Sequence, residues 1–298
     1  YTSRAGLLAA AMLAVSRYHI ADAQEVRMYA FLTAGVLAST YLFTRLDEGR
    51  RVAVAYLAAT VFALSLHPFA VFLPLVHATF LAVERVASPP SGGWTAPRLQ
   101  WPVALTSLPV LAAGAFGVVR FLGGARLTFV ATPGAREVAV VLGSFLGGWS
   151  WPWNLLVGGG CGLLALFGLW RGRREPATRL LACWLLVPLV GLLAVSYLAT
   201  PVLFDRYALV AAPAFPLLVV RGVLALDVSD ALDTRVVTAR GLQIAVAGCL
   251  LLALATSGVA LHTTTDKEEW DSAVAAVESR ADAGALVVVS DCITRRAY

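Results

Sequence analysis

The chain has 298 residues, of which 59% are hydrophobic and 14% charged, and its mean hydropathy is +0.77. A soluble domain carries about 45–50% apolar and about 25% charged residues, so composition excludes an ordinary soluble protein and predicts a polytopic membrane protein. The net charge of +5 does not point to nucleic acid, because basic residues collect on the cytoplasmic loops of membrane proteins.

The apolar runs are long and lack the alternation of a barrel strand. Helices satisfy their own backbone in lipid, so an all-α bundle is predicted. A span needs about 20 residues, and about nine candidates follow in chain order. They lie near 3–18, 29–45, 51–66, 68–84, 102–120, 154–170, 179–198, 207–225 and 241–261. Pro68 and Pro74 disturb the fourth. Ser88 to Pro97, rich in Pro and Gly, reads as a loop. Val138 to Gly148 reads as an interfacial or re-entrant helix, followed by a headgroup-level set of Trp149, Trp151 and Trp153.

After Leu261 the character changes. Thr265 and Glu268 form a capping-box pattern, and Trp270, Val274 and Val277 share a helical face. Asp282-Ala283-Gly284 is a turn, and Leu286 to Ser290 reads as a strand. The predicted organisation is a transmembrane bundle over 1–261 and the truncated start of an extracytoplasmic α/β domain over 262–298. Both ends read as cut, as in a fragment of a longer protein.

Arginine sets the orientation. Thirteen basic residues, among them Arg45, Arg50, Arg51, Arg85, Arg171, Arg173, Arg174, Arg179 and Arg221, fall on one set of loops. The opposite loops hold Arg17, Arg27, Arg120, Arg126, Arg136 and Arg206, with four more basic residues in the tail. The richer set is cytoplasmic by the positive-inside rule. The 17–28 cluster, His67, the 120–153 segment, the 199–206 loop and the tail then share the outer face. The four cysteines show no metal spacing, and no metal site is predicted from the sequence.

The spans carry almost no ionisable residue at mid-depth except His77, which argues against ion-coupled transport. His77 reads as a packed, hydrogen-bonded histidine. Polar function then belongs at the outer boundary, where three pieces converge. These are the 17–29 cluster with Asp22, Gln24, Glu25, Arg27 and Tyr29; His67 between two spans; and Phe204-Asp205-Arg206-Tyr207. A guanidinium forks onto a phosphate oxygen pair, which makes Arg27 and Arg206 the predicted phosphate contacts, with His67 as a hydrogen-bond donor. Glu25, Asp22 and Asp205 can orient a hydroxyl or hold a divalent cation, which nothing in the sequence requires. The blander reading makes Arg17 and Arg206 interfacial anchors and lets Glu25 and Arg27 neutralise one another.

Residues 17–29, Arg-Tyr-His-Ile-Ala-Asp-Ala-Gln-Glu-Val-Arg-Met-Tyr, resemble the S-P-x-H-I-x-x-S-Q-E-A-R-M-Y stretch of GT-C type membrane glycosyltransferases. That group includes the dolichyl-phosphate-mannose protein mannosyltransferases and the lipid A aminoarabinose transferases. The Leu64-Ser-Leu-His-Pro-Phe69 break resembles the T-H-x-F break of the family, and Asp205-Arg-Tyr207 its x-R-Y before a Pro-containing span. Glu269-Trp-Asp271 with Leu286 to Ser290 resembles the opening of its outer domain. The family proline is Arg17 here, and the serine before Gln-Glu is Ala23.

The resemblance implies an inverting glycosyltransferase that moves a sugar from a polyprenyl-phosphate-linked donor to an acceptor protein, lipid or glycan at the outer face. The implied location is the prokaryotic cell (inner) membrane. The implied substrate-binding residues are Gln24, Glu25, Arg27, Tyr29, His67, Arg206 and Tyr207. The family's catalytic base, an Asp or Asp-Glu of its first outer loop, would precede residue 1. Two other readings stay open. One is a non-catalytic lipid-carrier flippase or envelope-assembly scaffold. The other is a ligase or polymerase using a pyrophosphate-linked donor.

Overall fold

A computed structural model describes residues 3–25, 27–87, 101–108, 110, 133–145, 157–198, 201–226 and 239–264, with the single positions 275 and 279. Among these residues every regular element is helical and none is a strand. The Ser88–Pro97 loop, most of the 102–120 span, the three tryptophans and the α/β tail lie outside the described residues.

In chain order the helices are α1 (Ser3–Val15), α2 (Arg17–Gln24), α3 (Tyr29–Phe43), α4 (Arg50–Leu66), α5 (Phe72–Ala87) and α6 (101–108). There follow α7 (Ala135–Ser144), α8 (Gly159–Gly172), α9 (Pro176–Leu198), α10 (Ala214–Leu224) and α11 (Ala239–Thr264). Short 3₁₀ turns at Leu46–Glu48, Pro68–Val71 and Asp205–Val210 join some of them. Three helical segments are long and apolar enough to cross a membrane: Pro68–Ala87, Pro176–Leu198 and Arg240–Val259. The chain is therefore described as a helical membrane protein. The shorter apolar helices are Ser3–Val15, Tyr29–Phe43 and Ala214–Leu224.

Residues up to Val259 form one compact unit, and residues 260–298 form a second. Within the first, lipid offers helices little hydrophobic driving force to associate, so close packing and small residues hold the bundle. α8 crosses α10 where Gly168 and Gly222 face the opposite backbone. A Cβ on Gly168 would stand 2.6 Å from the Leu218 carbonyl oxygen, and one on Gly222 would collide with the Leu164 carbonyl. α3 and α4 pack as a hairpin whose turn ends at Gly49, with φ at +116°, a conformation glycine alone adopts without strain. Ser39 and Thr60 exchange a 2.7 Å hydrogen bond across that pair. α5 packs on α9, with Gly191 against the Phe72 ring. Pro188 sits inside α9, which membrane helices tolerate because neighbouring groups re-satisfy the freed carbonyl.

His77, in the middle of α5, is fully buried. Its ring stacks on Phe43 at 4.2 Å, Nδ1 meets the Tyr56 hydroxyl at 3.0 Å and Nε2 meets Thr40 Oγ1 at 3.4 Å. This is the packed, hydrogen-bonded histidine the sequence predicts.

Glu84 lies in the last turns of α5, buried, and pairs with Arg179 of α9 through two hydrogen bonds, one of them 2.9 Å. Arg179 also donates to the Arg174 carbonyl at 2.7 Å. From Phe72 to Glu84 the axis of α5 rises about 18 Å. The arginine-rich turn between α8 and α9 thus sits near one end of α5, and His67 leads into the other.

Two spans differ in extent from the sequence reading. The first stops at Val15, because Ser16 is extended (φ −68°, ψ 120°) and a separate helix, α2, follows. Residues 154–156 of the sixth lie outside the described residues, and the chain is helical from 157 onward, through its glycine-rich stretch. The eighth begins at Ala214, since residues 205–210 take the tighter 3₁₀ form ahead of Pro213 and Pro216.

Candidate functional site

Three chain breaks build the site. The first is α2, an eight-residue helix between two extended residues, Ser16 and Glu25. Tyr18 and Asp22 are four apart and share its buried face. The Tyr18 hydroxyl donates to the Asp205 carbonyl at 2.7 Å and ties α2 to the third break. Beyond α2 the chain turns tightly, with Arg27 N–H donating to the Glu25 carbonyl at 2.7 Å, before α3 opens at Tyr29.

The second break is His67. The residue before a proline is driven from helical to extended backbone, and His67 takes φ −150°, ψ 136°. Its Nδ1 accepts from the Phe69 N–H at 3.2 Å, so it caps the Pro68–Val71 turn. The imidazole stands among Tyr29, Tyr207 and Phe69, with ring centroids at 6.0, 5.7 and 5.6 Å. Burial lowers its pKa from the usual histidine value. A neutral ring whose Nδ1 accepts carries its proton on Nε2, which leaves one N–H to donate.

The third break is Asp205–Val210. Asp205 is buried, and its carboxylate accepts from the Arg206 backbone N–H at 2.9 Å. The Arg206 side chain reaches across to α2, where Nη2 donates to Glu25 Oε1 at 2.8 Å. The other Glu25 oxygen lies 3.7 Å from Arg27 Nε. One carboxylate therefore bridges two guanidiniums 179 residues apart in sequence (27 and 206). Their exposures differ in a way that matters: the Arg206 side chain is 19% exposed, Glu25 25% and Arg27 58%. Arg27 faces out, and Arg206 lies behind it.

The electrostatics are shared. Burial pulls the Arg206 pKa down, but Glu25, Tyr29, Asp205 and Asp22 outweigh it and hold the guanidinium above its usual value. Burial raises the Tyr207 phenol, with Tyr29 adding to it and Arg206 and Arg27 opposing. Tyr18 is raised well above the usual value, first by burial and then by Asp22 and Asp205.

Of the residues singled out in the sequence, Glu25, Arg27 and Arg206 form one ion-paired group, and His67, Tyr29 and Tyr207 form one ring cluster. Arg206 and Tyr207 are neighbours in sequence and join the two sets. Gln24 is exposed in the last turn of α2. Glu25 and Arg27 do approach one another, as the bland reading has it, but Arg206 is the nearer partner of that carboxylate. Among the described residues no three His, Cys, Asp or Glu side chains gather as a metal site.

Sequence reasoning missed the structural part of Tyr18 and the depth of Asp22. Their four-residue spacing was the available signal. It also missed the Glu84–Arg179 pair, for which no local pattern exists.

Beside this site lies a small crevice lined by Met12, Leu13, Ser16, His19, Phe145 and Phe215, with Pro216 and Leu254. Burial lowers the His19 pKa to about 4. None of Glu25, Arg27, His67 or Arg206 lines this crevice.

Compared with protein-family models, with curated proteins and with solved structures, the chain matches none.

Proposed function

We propose that this protein is a membrane glycosyltransferase that moves a sugar from a polyprenyl-phosphate-linked donor to an acceptor hydroxyl, with inversion. In this reading the bundle has about nine spans, the site faces the outer side of a prokaryotic cell membrane, and residues 262–298 open an extracytoplasmic domain. The observation that carries the reading is the meeting of Arg27 and Arg206 on one carboxylate, with His67, Tyr29 and Tyr207 alongside.

The chemistry needs few parts. The acceptor hydroxyl oxygen forms a bond to the anomeric carbon from the face opposite the donor phosphate. The bond from that carbon to the phosphate oxygen breaks, and the electron pair leaves with the lipid phosphate. The hydroxyl proton passes to a base that none of the residues named here supplies. A phosphate is a competent leaving group, so the protein's work is positioning and charge stabilisation. Arg206 and Arg27 supply the guanidinium charge, and the Nε2 N–H of neutral His67 supplies a donor that brings no charge of its own. The Tyr29 and Tyr207 rings offer a surface on which a sugar can stack.

The test uses membranes containing the full-length protein and a labelled polyprenyl-phosphate sugar. Arg27→Ala abolishes transfer while membrane insertion is unchanged. Wild-type turnover by that variant removes Arg27 from the site. A diphosphate-linked donor run in parallel separates this reading from a pyrophosphate-dependent ligase.

A further inference from the structure

We infer that the Glu25 carboxylate occupies an anion seat between Arg206 and Arg27, and that a phosphate group enters the site by displacing it. The inference rests on the reading of these arginines as phosphate ligands and adds how the site is kept closed. A carboxylate and a phosphate present the same kind of oxygen pair to a guanidinium, so one substitutes for the other at the same donors. Glu25 makes that substitution visible, with one oxygen 2.8 Å from Arg206 Nη2 and the other 3.7 Å from Arg27 Nε.

The neighbourhood says which anion must move. Arg206 is largely enclosed, and an enclosed guanidinium without a counter-ion is strongly destabilising, so an empty site needs a resident anion. Asp205 and Asp22 also act on Arg206, but both are buried, and Asp205 is engaged by the Arg206 backbone N–H. They stay in place as fixed charges acting on the guanidinium. Glu25 differs from both. It lies past the end of α2 in extended backbone (φ −73°, ψ 137°), and its side chain is a quarter exposed. The entering anion meets exposed Arg27 first. Glu25 then rotates off Arg206, and the phosphate spans both guanidiniums. The device sets a threshold: an anion is retained only if it engages the two arginines better than the resident carboxylate does.

The test measures binding to the full chain in detergent micelles by calorimetry, with farnesyl monophosphate and inorganic phosphate as probes and farnesol as the uncharged control. Glu25→Gln removes the competing charge and keeps an amide oxygen for Arg206. Displacement predicts that both phosphates bind this variant about tenfold or more tightly than they bind wild type. It also predicts that farnesol is unaffected and that Arg206→Gln loses phosphate binding. Glu25→Asp, which keeps the charge but shortens its reach, is expected to give a smaller gain and covers a Glu25→Gln variant that fails to fold. Unchanged or weaker binding to the Glu25 variants overturns the inference, because Glu25 would then be aligning the arginines. A gain confined to farnesyl phosphate overturns it as well, since that places the change in lipid packing. Absence of phosphate binding in wild type and every variant is a separate result and removes the phosphate reading of the site itself.

Discussion

At the scale of single residues, burial acts on the histidines and opposing charge on the arginines. His19 is held to about 4 by burial, against a usual value of 6.5. Above pH 6.5 it is neutral folded or unfolded and contributes no pH dependence. As pH falls from 6.5 towards 4, the unfolded chain takes up a proton that the folded chain refuses, and stability is lost. His67 acts in the same direction. The thermal midpoint of the solubilised protein is therefore expected to fall across that window, and His19→Gln is expected to flatten part of the fall. A midpoint that rises on acidification contradicts the burial of both rings. Arg206 answers differently, because the carboxylates around it hold its charge at any accessible pH. Arg206 thus keeps its charge, while burial favours the neutral form of the His67 imidazole.

At the scale of elements, the breaks matter more than the spans. Pro68 forces His67 out of helix, Ser16 and Glu25 bracket α2, and Pro213 and Pro216 follow the 3₁₀ turn that carries Arg206. Each break frees a polar side chain from a helix face and turns it towards the others. Packing between elements is set by small residues, most tightly at the α8–α10 crossing. Gly222→Ala drives a methyl group into the Leu164 carbonyl, and overpacking of this kind costs about 1–3 kcal/mol. A lowered thermal midpoint is expected. Gly248→Ala in α11 is the control: nothing lies within 4 Å of the added carbon, and its midpoint should hold or rise. Equal behaviour of the two variants would mean that α8 and α10 do not meet at these glycines.

At the scale of the whole molecule, apolar surface faces outwards. Leu7, Phe31, Val61, Leu163, Val190 and Leu252 are all large and exposed, a distribution that water penalises and lipid does not. The bundle is also polar at two ends, with the Glu25–Arg206 group at one and the Glu84–Arg179 pair and the 171–174 arginines at the other. In the orientation proposed from the arginine bias, the second end is the cytoplasmic one. On a cysteine-free background, Gln24→Cys is expected to react with an impermeant thiol reagent from outside intact cells, and Arg173→Cys only after the membrane is opened. Labelling of both from one side would place the two polar ends on the same face and remove the outward-facing site.

The membrane class and the helical character were legible in the sequence, because a run of apolar residues long enough to cross lipid has few other uses. The polar breaks were legible too, since charge concentrated between apolar runs stands out without any knowledge of contacts. Partnership was not legible. Nothing local to Glu25 says that Arg206 is its nearer cation, that Tyr18 is tied to the Asp205 backbone, or that Glu84 is buried against Arg179. Those pairings join residues 95 to 187 positions apart, and only the packing of the helices decides which ends meet. The sequence by itself determined which polar residues interrupt the apolar runs; the tertiary structure decided that one carboxylate holds two arginines, because that depends on distances that no periodicity encodes.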